Sequence, residues 1–150
     1  MIDTITSKVV LILGRFSGPR KGILDAIRDE VRRLDYVPVL FDFSTPESRT
    51  TVETILTLLH MSRFIIADLT DAKRVLQELQ AIVPNCTSVA VQPLLLESQS
   101  EPGMWDSFKA HSSVLTPLRY IDQHLLTELA RKVIIPAEAK ARELIGKLRS

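Results

Sequence analysis

Asp42 and Asp68 each close an apolar run, Gly14-Arg15 closes another, and Glu78 lies a few turns of chain beyond Asp68. Carboxylates and an arginine in such places can hold sugar hydroxyls, bind phosphate or stabilise a positive charge. The segment Gly14-Arg15-Phe16-Ser17-Gly18-Pro19-Arg20-Lys21-Gly22 leads from one element to the next. If it opens a helix, the free N–H groups and the helix dipole favour an anion there. Arg15 then adds a bidentate donor. The other reading is an ordinary turn between elements, because the glycine spacing matches neither a P-loop nor a dinucleotide fingerprint.

Asp42 stands where many nucleotide-binding sheets hold a ribose hydroxyl. It also reads as a carboxylate satisfied by backbone N–H groups of the next helix. Arg49 falls in the first turn of that helix, against the dipole, and either serves a ligand or pairs with Glu53. Asp71 reads as a helix cap. In the helix that follows, Val75, Leu79 and Ile82 define the buried face, and Glu78 lies at its edge. Apolar neighbours can raise the pKa of a carboxylate at such a border and suit it to catalysis. Alternatively Glu78 pairs with Arg74 at i−4 in an exposed salt bridge worth a few tenths of a kcal/mol. Trp105 either stacks on a base or plugs the sheet end. His60 reads as a histidine at a helix C-terminus.

These residues need a frame, and the hydrophobic pattern supplies one. Lys8 to Gly14 is a continuous apolar run ending in glycine, the mark of a strand buried on both faces. Leu24, Ile27, Val31 and Leu34 follow at helical spacing. Val37 to Phe43 is a second strand, and Pro38 near its start points to an edge position or an early strand residue. Thr45-Pro46 opens a helix carrying Val52, Ile55, Leu56 and Leu59. Arg63 to Asp68 is the third strand, and Asp71 to Val83 the next helix. Ser88 to Leu96 is the fourth strand, followed by a polar loop over Glu97 to Gly103. Val114 to Leu118 reads as a short fifth strand. Ile121 to Ile135 reads as a helix, and Pro136 restarts one over Ala137 to Leu148.

Strands alternating with helices imply right-handed βαβ units. The expected fold is α/β, a flavodoxin-like three-layer sandwich with a five-stranded parallel sheet in the order 2-1-3-4-5. Ligands of such sheets bind beyond the carboxyl ends of the strands, at the switch between strands 1 and 3. Gly14, Arg15, Asp42, Asp68 and Glu78 are expected to gather there.

Composition narrows the function. The chain has 150 residues, which reads as one domain spanning 1–150. Its net charge of +1 argues against a dedicated nucleic-acid binder. The single cysteine, Cys86, excludes an intrachain disulfide, and no Cys/His cluster offers a metal site. The start MIDTITSK lacks the features of a signal peptide, and no apolar run approaches the ~20 residues that span a bilayer. A cytoplasmic protein without membrane partners is expected.

The stretch Phe64-Ile65-Ile66-Ala67-Asp68-Leu69-Thr70, followed by Gln77-Glu78-Leu79, resembles bacterial TIR-like (Toll/interleukin receptor-like) domains and the related nucleoside 2-deoxyribosyltransferases. In these an apolar strand ends in Asp-Leu-Thr and a Glu-Leu pair follows in the next helix. Leu13-Gly14-Arg15 also resembles the loop after their first strand. The resemblance covers roughly residues 8 to 96.

It implies a catalytic role for Glu78 in cleaving the N-glycosidic bond of NAD or a related nucleotide, in bacterial defence or signalling. Arg15 and Asp42 would then hold phosphate and ribose, with Gly14 and Asp68 beside them. NAD would be the substrate, and no cofactor is implied. Such domains commonly form homo-oligomers that complete the site between subunits, and are often one module of a larger protein. Two rival readings are a catalytically silent self-association module and a nucleotide sensor that binds without cleaving.

Overall fold

The computed structural model describes residues 8–14, 20–42, 51–70, 89–98, 111–121, 128 and 130–149. Five parallel strands form one sheet: β1 (Val9–Gly14), β2 (Val37–Asp42), β3 (Ser62–Asp68), β4 (Ala90–Leu96) and β5 (Leu118–Tyr120), in the order β2-β1-β3-β4-β5. The described helices are α1 (Arg20–Arg33), α2 (Thr51–Met61) and α3 (Ile135–Arg149). This is the flavodoxin-like architecture.

The central strands are mostly apolar because both of their faces are covered. Val10 and Ile12 of β1, Phe64 and Ile66 of β3, and Ala90 and Leu94 of β4 pack with Leu24, Ile27 and Val31 of α1. Val133 and Ile134, and Ala137 and Leu144 of α3, complete that layer. The alternate residues Leu11, Leu13, Ile65, Ala67, Val91 and Leu95 face the other way, against Leu59 and Leu56 of α2. Alternation places successive side chains on opposite faces, so a continuous apolar run feeds two cores at once. β2 lies at the sheet edge, where Pro38 is tolerated.

α1 ends in a Schellman turn. The Tyr36 amide bonds the Val31 carbonyl (3.2 Å) and the Asp35 amide bonds that of Arg32 (3.1 Å). Asp35 holds the left-handed conformation at φ 71° that such a turn requires.

Two sequence expectations are corrected. The fifth strand is not Val114–Leu118 but Leu118–Tyr120, with Val114 making only an isolated bridge to Val91. Pro117 has no N–H with which to continue the ladder. Instead the Gln92 side chain reaches across and donates to the Thr116 carbonyl (3.0 Å) before pairing resumes at Leu118. Nor does Pro136 restart a helix. A π turn at Ala130–Ile134 runs straight into α3, which passes through the proline. The widened turn lies where the ring would otherwise meet the carbonyl four residues earlier. The expected helix at 71–83, the Thr45-Pro46 start and Trp105 lie outside the described residues.

At the amino ends of the strands one carboxylate ties α3 to the sheet. Glu138 accepts from Arg63 Nε (3.1 Å) and Nη2 (2.7 Å), from Arg142 Nε (2.9 Å) and from the Tyr36 hydroxyl (3.2 Å). Tyr36 also meets Phe64 edge to face, with ring centroids 5.4 Å apart. Burial pushes the Glu138 carboxyl up, but the donors on Arg63, Arg142 and Tyr36 and the Arg63 charge outweigh it and hold it below its ordinary 4.5. A carboxylate whose pKa is lower folded than unfolded adds stability that is complete above the unfolded value. That stability is lost as pH falls through the folded value. The unaltered protein is therefore expected to lose urea resistance below about pH 4.5. Glu138→Gln should cost about 1.5–3 kcal/mol near neutrality and lose less on acidification. Urea midpoints measured across this range check both, and equal acid losses in the two proteins would contradict the assignment.

Candidate functional site

Three of the five sequence candidates meet at the carboxyl edge of the sheet. Gly14 ends β1, and its Cα partner on β2 is Asp42. Asp68 ends β3 on the other side of β1. A Cβ built on Gly14 would lie 3.5 Å from the Asp68 Cβ. These strand ends straddle the switch point, where the chain leaves β1 for β2 on one side and later returns as β3 on the other. The other two candidates, Arg15 and Glu78, lie outside the described residues.

The glycine has a packing reason as well as a site reason. Its missing Cβ would come within 3.0 Å and 3.4 Å of the two methyl carbons of Leu24, on α1. Gly14 thus lets α1 sit close against β1, which draws the start of α1 near the strand ends. That first helical turn carries no acid, although Arg20 and Lys21 stand in it. Cations at a helix N-terminus oppose the dipole, and a bound anion would relieve them.

Asp68 is only 2% exposed. Burying a carboxylate is costly unless its oxygens are satisfied. One oxygen accepts the Thr70 amide at 3.1 Å, closing a local Asx turn. The other accepts the Tyr120 hydroxyl at 3.0 Å, from two strands away. The Thr70 hydroxyl lies 3.4 Å from that of Tyr120 and accepts the Leu96 amide at 2.9 Å. Backbone bonds from Leu69 N to Leu94 O and from Glu97 N to Tyr120 O, both 2.9 Å, complete the stitching of β3, β4 and β5. Asp68 therefore lies at the end of β3 as a buried, hydrogen-bonded carboxyl group.

Tyr120 was not among the residues singled out by sequence. The misplaced fifth strand hid it. Pro117 immediately before Leu118-Arg119-Tyr120 is the signal that would have placed the strand start correctly. His60 lies exposed in the last turn of α2, as a helix C-terminal histidine does. Among the described residues, no group of three His, Cys, Asp or Glu side chains could hold a metal ion. No described helix is long and apolar enough to cross a membrane.

No protein-family model and no curated protein matches the chain. Solved structures do. The chain is similar to a diflavin flavoprotein A3 from Nostoc sp., at 14% identity and a TM-score of 0.56, over 91% of this chain and 89% of that one. It is also similar to the sugar isomerase domain of an RpiR transcription factor from Sphaerobacter thermophilus, at 12% identity and a TM-score of 0.54. That match covers 97% of this chain and 80% of the other. At these identities the likeness is one of fold.

The Asp68–Tyr120 bond gives a direct stability test. Tyr120→Phe keeps the ring but withdraws a hydrogen bond to the buried Asp68 carboxyl group, which is expected to cost about 1–3 kcal/mol. Urea denaturation checks this, and a loss under about 0.5 kcal/mol, as for an ordinary surface substitution, would contradict it.

Proposed function

We propose that this chain binds a nucleotide over the carboxyl ends of β1, β2 and β3 and cleaves the N-glycosidic bond of NAD or a related nucleotide. The observation that carries the binding half is the meeting of Gly14, Asp42 and Asp68 at the switch point of a parallel sheet. The start of α1, with two cations and no acid, supports a phosphate beside it. Asp42, on the neighbouring strand end, is the residue for a ribose hydroxyl, and Arg15 for the phosphate.

The catalytic half rests on the resemblance to TIR-like domains, which assigns the reacting carboxylate to Glu78. Its chemistry is self-consistent. Cleavage passes through an oxocarbenium-like state, and a carboxylate beside the sugar stabilises that charge or attacks the anomeric carbon. Nicotinamide in NAD is already cationic and leaves without a separate general acid. Asp68, buried and doubly hydrogen-bonded, supports the site from beneath and does not react.

Incubation of the purified protein with NAD, with chromatography of the products, tests the proposal. Release of nicotinamide and ADP-ribose is expected, with specific activity rising with protein concentration if neighbouring subunits complete the site. Glu78→Gln should lower turnover by about 10²–10³-fold, the worth of one preorganised electrostatic partner. Full turnover by that variant would overturn the role of Glu78. Binding without cleavage would point to a nucleotide sensor. Absence of both, with NAD and with FMN as a flavin control, would leave a silent interaction module.

A further inference from the structure

Most of the sheet interior is apolar, and the buried polar side chains within it are few. Among the described residues they are Ser62, Asp68, Thr70, Gln92 and Ser113. Gln92 and Ser62 have local structural work: Gln92 bridges to Thr116, and the Ser62 hydroxyl donates to the Leu58 carbonyl of the preceding helix at 2.6 Å. Asp68 and Thr70 differ from these. With Tyr120, itself 5% exposed, they form one network directly beside Gly14.

A network of this kind is a costly way to join three strand ends. Burying a carboxylate, a hydroxyl and a phenol incurs the desolvation of each, and apolar side chains of similar size would stabilise the same contact at least as well. What hydrogen bonds add is direction. The Asp68 carboxylate is held at one oxygen by its own chain and at the other by β5. Thr70 is held by its amide to Asp68 and by its hydroxyl to the end of β4. The path of residues 68 to 70 is thereby fixed relative to β4 and β5 as well as to β1.

We infer that Thr70 and Tyr120 are positioning residues of the nucleotide site, acting through Asp68 to fix the turn that leaves β3 beside Gly14. This rests on the nucleotide reading above. It assigns Tyr120 a part in the site although it lies on β5, two strands from β3. It also reassigns Asp68 from a group that touches ligand to one that aims its neighbours, since the carboxylate is sealed from solvent and its oxygens are engaged.

The test compares NAD binding by calorimetry in the unaltered protein, Tyr120→Phe, Thr70→Val and Thr70→Ser, each well below its own melting midpoint. Amide hydrogen exchange at Thr70 and Leu96 is followed in the same samples. Tyr120→Phe and Thr70→Val should each weaken binding by about tenfold, part of the worth of one hydrogen bond to a buried group. Thr70→Ser, which retains the hydroxyl, should bind as the unaltered protein does. The Thr70 amide should exchange faster in Tyr120→Phe, and the Leu96 amide faster in Thr70→Val. Undiminished affinity in Tyr120→Phe and Thr70→Val, with exchange quickened as expected, would make the network purely structural and overturn the inference while leaving the nucleotide reading intact. No NAD binding by the unaltered protein would overturn both. Should Tyr120→Phe fail to fold, the Thr70 pair decides by the same affinity criterion.

Discussion

Burial of β1 and β3 on both faces is the constraint from which the rest follows. Leu11, Ile12, Leu13, Phe64, Ile65, Ile66 and Ala67 are wholly enclosed, so no face of either strand is left for water. Strands of that kind are stable only when helices cover both sides, and parallel pairing through helical crossovers supplies the cover. Because β1 is joined to neighbours on both sides, the connection leaving it must diverge from the one that returns beside it. The gap between the two is at the carboxyl ends, where sheets of this kind place their ligand sites.

The two ends of the sheet are treated differently by the polar residues. At the amino ends, Glu138 gathers two arginines and a phenol to anchor α3, a half-buried cluster with good geometry and a structural purpose. At the carboxyl ends, Asp68 gathers the Thr70 amide and the Tyr120 hydroxyl. The first arrangement neutralises its carboxylate. The second closes the turn at Thr70 and ties β3 to β5 through the Tyr120 hydroxyl.

Much of this was legible in the residues because the signals are local and strong. The apolar runs Val9–Leu13 and Phe64–Ala67 identify buried parallel strands, and the helical spacing of Leu24, Ile27 and Val31 identifies the helix between β1 and β2. The strand order is one of the few that alternation and handedness allow. Gly14, Asp42 and Asp68 were legible as strand-end residues for the same reason. What periodicity could not reveal depends on contacts between distant segments. β5 is three residues long, and its position is set by Pro117 and by the Gln92 side chain. The π turn before Pro136 answers a local clash that a simple helix-breaking rule reads as a stop. Tyr120 meets Asp68 across 52 positions of sequence, and no spacing rule joins them.

The central claim is that a nucleotide sits over the ends of β1, β2 and β3, and amide chemical-shift mapping with NAD tests it most directly. The account predicts that shifts on titration concentrate at Gly14, Asp42, Leu69 and Thr70, and leave Lys8, Tyr36 and Arg63 at the amino ends unmoved. Shifts centred on the amino ends, or none at saturating NAD, would contradict it.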